Sequence, residues 1–110
     1  MIKVEQNKDI CIISFPGINR LNVNNIGEIK EPITEKITPK SKIILDFSGI
    51  SYIDSSGFGV LLSFLRTSKT NDSKLMLCGI MPEVMSLIKL LQLQTVFSIQ
   101  PDRETCIKNL

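Results

Sequence analysis

The stretch that most restricts the fold is Ile50 to Leu65, Ile-Ser-Tyr-Ile-Asp-Ser-Ser-Gly-Phe-Gly-Val-Leu-Leu-Ser-Phe-Leu. It reads as a buried strand that runs through the polar turn Asp54-Ser55-Ser56-Gly57 into an amphipathic helix. Asp and Ser are favoured helix N-caps because their side-chain oxygens accept hydrogen bonds from first-turn N–H groups that have no partner within the helix. Gly lets a neighbouring backbone come close. The turn is therefore expected to present a serine hydroxyl on the surface at the positive end of a helix. That geometry suits a covalent anionic modification, a nucleophile or a plain cap.

The chain contains no histidine. A Ser-His-Asp triad, a His-ligated metal site and a His acid–base pair are therefore excluded, and the hydrolase reading of Ser55 loses most of its support. Cys11, Cys78 and Cys106 are odd in number and widely spaced, without a paired metal-binding pattern, and read as core residues of a reduced, cytoplasmic protein. No catalytic, cofactor or metal site is expected. The net charge is only +2. Lys36, Lys40 and Lys42 gather where a helix should end, with no aromatic residues between them, so they read as a solvated loop and not as a nucleic-acid patch. Residues 1–9 lack the apolar core of a signal peptide, and no window is apolar for long enough to cross a bilayer. At 110 residues, 43% of them hydrophobic, residues 1–110 are expected to form one domain.

Along the chain, Ile2–Glu5 and Ile10–Phe15 flank the turn residues Asn7-Lys8-Asp9 and predict an N-terminal hairpin. Pro16-Gly17 ends it. Ile26, Ile29, Ile33 and Ile37 mark one stripe of a helix that Pro32 should kink or divide. Ser41–Phe47 is rich in branched apolar residues and predicts a central strand buried on both faces. The helix after the turn should end near Asn71-Asp72, with a strand at Lys74–Gly79 beyond it. Pro82 opens a helix whose Val84, Leu87, Ile88 and Leu91 should pack on the sheet. Thr95–Ile99 predicts a last strand, and Pro101 to Glu104 opens a terminal helix. This order gives an α/β fold: a mixed, largely parallel sheet with an N-terminal hairpin and about four helices.

On the helix after the turn, the 3.6-residue repeat places Phe58, Leu61, Leu62 and Leu65 against the sheet. The opposite side then carries Ser56, Gly59, Val60, Ser63 and Thr67, all small and uncharged. Solvent-facing helices usually carry Lys and Glu. Any one of these five could simply be tolerated at a surface, but together, beside a capping serine, they favour a face that another protein's backbone can approach.

Asp-Ser-Ser-Gly-Phe-Gly-Val-Leu-Leu, following a strand of the form Ile-Ile-Leu-Asp-Phe-Ser, resembles the signature of the STAS domain, and more narrowly that of the stand-alone bacterial anti-sigma factor antagonists. Leu75 to Val84 resembles the family's strand followed by a Pro-led helix, so the resemblance covers nearly the whole chain. It implies that Ser55, the serine immediately after the motif's Asp, is phosphorylated by a GHKL-type serine kinase that is also the anti-sigma factor. The unmodified chain would bind that kinase and release a sigma factor; phosphorylation would block binding, and a serine phosphatase would restore it. Taken with the uncharged helix face and the turn, this makes Asn22, Asp54, Ser55, Ser56, Gly57, Gly59, Val60, Ser63 and Thr67 the expected partner-binding residues. Many relatives carry Leu-Asp where this chain has Leu21-Asn22, a difference that bears on kinase recognition and partner identity.

A second reading is a non-switching STAS adaptor subunit of a lipid-transport or other multiprotein complex. The phosphorylatable hydroxyl of Ser55 favours the first, since a permanent adaptor has no need of it.

Overall fold

The structure, a computed structural model, describes residues 1–110. The predicted hairpin forms from β1 (Lys3–Asn7) and β2 (Ile10–Ser14), which pair antiparallel, with Lys8 in the left-handed conformation in the turn. Parallel strands β4 (Lys42–Asp46), β6 (Lys74–Cys78) and β7 (Ser98–Gln100) extend the sheet in the order β1-β2-β4-β6-β7. β4 is central, as its branched apolar run requires.

The alternation of side chains along the strands divides the interior into two layers. Cys11, Ile13, Ile43, Leu45, Leu75 and Leu77 belong to the larger core, together with buried residues of α1 (Ile26–Thr34), α2 (Ser55–Thr70) and α3 (Pro82–Leu90). Ile10, Ile12, Ile44 and Cys78 form a smaller cluster with Cys106 of the short α4 (Arg103–Lys108). All three cysteines are buried and unpaired. Arg103 anchors α4: its Nε donates to Asp46 Oδ2 at 2.6 Å and its Nη1 to Glu5 Oε2 at 2.7 Å.

Three expectations need correction. α1 is a single helix, not two pieces, because it ends two residues beyond Pro32; single turns then carry the chain to the buried Ile37. The last strand begins at Ser98 and not at Thr95. Gln92 adopts a left-handed conformation after α3, and Leu93–Thr95 form a 3-10 turn in place of strand. The same reversal leaves Leu91 53% exposed, off the sheet, while Val84 and Ile88 are buried as expected.

One element has no counterpart in the sequence reading. β3 (Arg20–Leu21) pairs parallel with β5 (Tyr52–Ile53) in a separate two-stranded ribbon, with the Arg20 guanidinium 5.5 Å from the centre of the Tyr52 ring. The strand that enters the serine turn is therefore part of this ribbon and not of the main sheet. It brings the segment ahead of α1 beside the start of α2.

Candidate functional site

Asp54 builds the turn. Its backbone is extended and its Oδ1 caps α2 by accepting from the Gly57 N–H at 3.0 Å and from the Ser56 hydroxyl at 2.5 Å. Its Oδ2 accepts from the Val23 N–H at 3.1 Å, and its own N–H donates to the Leu21 carbonyl at 3.0 Å. One carboxylate thus joins the helix cap to the β3–α1 loop. The Ser56 hydroxyl and the Gly57 N–H, with smaller help from Val23, hold the Asp54 carboxyl below the ordinary carboxylate range, so it is ionised at neutral pH.

The two serines of the turn differ. Ser56 is half-buried, and its hydroxyl is occupied by Asp54. Ser55, the first residue of α2, is exposed, and its hydroxyl is engaged by no other group of the chain.

Gly57 is not available to a partner, contrary to its place among the expected contact residues. It is buried under the ribbon, where an added Cβ would lie 2.5 Å from Ile53 Cγ2 and 3.2 Å from the Leu21 carbonyl oxygen. Only glycine lets β3, β5 and the first turn of α2 come this close.

The face of α2 is rotated from the expected one. Its buried stripe is Gly57, Phe58, Leu61, Phe64 and Ser68, while Leu62, expected against the sheet, is 36% exposed. Phe64 fills the core at 0% exposure, and its bulk sets the rotation of the helix. The crest facing solvent runs through Ser55, Gly59, Leu62 and Arg66. Ser56, Val60, Ser63 and Thr67 occupy one half-buried flank beside it. The flank is smooth for a reason that the sequence does not show: Ser63 Oγ donates to the Val60 carbonyl at 2.8 Å and Thr67 Oγ1 to the Ser63 carbonyl at 2.9 Å. Hydroxyls folded back onto their own helix need no partner from an incoming surface.

Asn22 is half-buried and shapes the loop ahead of α1. Its Oδ1 accepts from the Asn24 N–H and its carbonyl from the Ile26 N–H, while its own N–H donates to Asn25 Oδ1. Asn25 Nδ2 in turn donates to the Arg20 carbonyl at 2.7 Å. Asn22 therefore reaches the serine turn only through its two neighbours, Leu21, whose carbonyl accepts from the Asp54 N–H, and Val23, which is 73% exposed. Sequence reasoning missed Val23 because an isolated valine carries no periodic signal.

Asp54, Ser55 and Ser56 line none of the surface clefts, which measure about 370 to 520 Å³. No group of three or more Cys, Asp and Glu side chains converges as a metal site would require, and no helix is long and apolar enough to cross a membrane. The turn therefore places an exposed serine on an open face of an α/β domain, beside the carboxylate that caps α2.

The chain belongs to the STAS domain family, whose description matches residues 1–106. Its fold is similar to that of an anti-sigma factor antagonist domain protein from Planctomyces limnophilus, with a TM-score of 0.86 and 19% identity over 97% of this chain and 95% of that one. It is also similar to the Bacillus cell fate determinant SpoIIAA in the phosphorylated form, with a TM-score of 0.72 and 19% identity over the whole of both chains. The murine Solute Carrier 26 family member A9 anion transporter contains the same fold, with a TM-score of 0.77 and 16% identity over 94% of this chain but only 18% of the transporter.

Proposed function

We propose that the chain is an anti-sigma factor antagonist whose unmodified form binds a GHKL-type anti-sigma factor kinase, and whose phosphorylation at Ser55 switches that binding off. The observation that carries this reading is the contrast between the two serines: Ser55 is exposed with a free hydroxyl, whereas Ser56 is held by Asp54. The chain is then a switch and a kinase substrate, not an enzyme. A phosphatase acting on the modified serine completes the cycle.

The electrostatics of the turn support the same reading. A phosphate would add about −1.5 to −2 charges at a helix N-terminus, where the macrodipole and free N–H groups favour anions, so the fold survives. The new charge stands next to ionised Asp54 at the edge of a flank without cations. Like-charge repulsion and the cost of desolvating the phosphate then oppose docking. That SpoIIAA, a neighbour in fold, has been solved both unphosphorylated and phosphorylated is consistent with one STAS fold accommodating both states.

The test is incubation with ATP and each purified GHKL-type serine kinase of the source organism, followed by tandem mass spectrometry. The expected product carries one phosphate at Ser55, and Ser55→Ala carries none. Phosphate on Ser56 alone, or modification of Ser55→Ala to the wild-type extent, overturns the site.

A further inference from the structure

Val23 is one of the most exposed large apolar side chains of the chain, and it stands directly beside the proposed switch. A single exposed valine needs no explanation by itself. This one differs in how its backbone is held. Its N–H donates to Asp54 Oδ2, while Asp54 Oδ1 caps the helix that begins with Ser55. On either side of it, Asn22 and Asn25 close the loop with hydrogen bonds to the N–H groups of Asn24 and Asn22 and to the Arg20 carbonyl. The β-branched side chain adds its own stiffness at χ1. An apolar group fixed this firmly can be buried in an interface with little further loss of conformational freedom.

We propose that Val23 is an apolar anchor of the docking surface, held in register with Ser55 by the shared Asp54 carboxylate, and that the partner carries an apolar pocket beside the site receiving the serine. This rests on the proposed function and names the second point of contact at the same site. It also gives phosphorylation a second point of action. A phosphate on Ser55 stands next to the carboxylate that ties down the Val23 loop, so the charge perturbs the anchor as well as the serine.

The experiment measures calorimetric affinity for the GHKL-type kinase that binds the wild-type chain, without ATP, together with KM and kcat for phosphorylation. Val23→Ser and Val23→Ala are compared with Val96→Ser, which alters an exposed valine beyond the 3-10 turn. Val23→Ala keeps the backbone bond to Asp54 and brings no competing hydroxyl into the loop. The expected result for Val23→Ala is a loss of affinity of about tenfold, as removal of two methyl groups from a desolvated contact implies. Val23→Ser, which loses the same two methyl groups and brings a hydroxyl into the contact, should lose at least as much. KM should rise with kcat unchanged, thermal melts should match wild type, and Val96→Ser should bind normally. If both Val23 variants bind like wild type while Ser55→Asp loses binding, the anchor is refuted and the switch stands. If no such kinase binds the wild-type chain, the switch falls and the anchor with it.

Discussion

Gly57 and Gly59 lie two residues apart in the same helix, yet adding one methyl group to each should have opposite effects on stability. At Gly57 the new Cβ would sit 2.5 Å from Ile53 Cγ2 and 3.2 Å from the Leu21 carbonyl oxygen. Neither neighbour can move freely. Ile53 is β-branched and 1% exposed, and the Leu21 carbonyl is fixed by the Asp54 N–H. Overpacking of this kind costs about 1–3 kcal/mol. At Gly59 a Cβ meets nothing within 4 Å, so the variant gains helix propensity, about 1 kcal/mol, without a clash. That gain is common to both sites and largely cancels in the comparison, leaving Gly57→Ala about 1–3 kcal/mol less stable than Gly59→Ala. Urea unfolding of the two variants, analysed with a common slope, measures the difference. Gly59→Ala should equal or exceed wild type, and Gly57→Ala should fall below it. Equal stabilities would show that the ribbon does not press on α2 and that Gly57 is free to serve as a contact residue. The pair also separates packing from docking: Gly59→Arg should abolish partner binding while the fold persists.

Two further predictions concern the opposite side of the sheet. Burial pushes the Asp46 carboxyl up, but hydrogen bonds from Ser48 and Arg103 together carry it below the ordinary carboxylate range; Arg103 likewise lowers Glu5. Both groups are more acidic folded than unfolded. Their stabilising effect is therefore complete above the unfolded values, near pH 4, and is lost as the pH falls through the folded ones. Arg103→Met should destabilise at pH 7 by about 1–3 kcal/mol, because Asp46 keeps Ser48 but loses its cation. It should also flatten the fall of stability below pH 4; an acid limb as steep as wild type would contradict this. The cysteines give the other prediction. Burial raises the thiols of Cys11 and Cys106, and pushes that of Cys78 up to about 12. A colorimetric disulfide reagent at pH 8 should therefore label none of the three in the folded chain and all three in denaturant, and rapid labelling of Cys78 or Cys106 in the native protein would refute the packing of α4.

The elements legible in the sequence were those whose burial pattern is local. β2, β4 and β6 announce themselves as apolar runs, and α2 by its cap and repeat. The β3–β5 ribbon could not be read, because two-residue strands have no period and Arg20–Leu21 is paired only through the distant Tyr52–Ile53. β7 was displaced because Thr95, Val96 and Phe97 have strand chemistry, while the left-handed Gln92 commits them to a turn. The serine turn and its capping Asp54 were visible as residue types at a helix start. What the sequence could not supply was direction: that Phe64 rather than Leu62 faces inward, that Gly57 lies under the ribbon, and that Val23 stands beside Asp54. Each depends on contacts between segments about 30 residues apart or on competition among side chains for one core.

The central claim is that phosphate on Ser55 abolishes docking without disturbing the fold. Its most direct test is the calorimetric affinity of the cognate GHKL-type kinase for the unmodified chain and for the chain phosphorylated at Ser55, with circular dichroism of both forms. The account predicts tight binding of the unmodified form, loss of binding for the phosphorylated form, and superimposable spectra. Equal affinities for the two forms would contradict it.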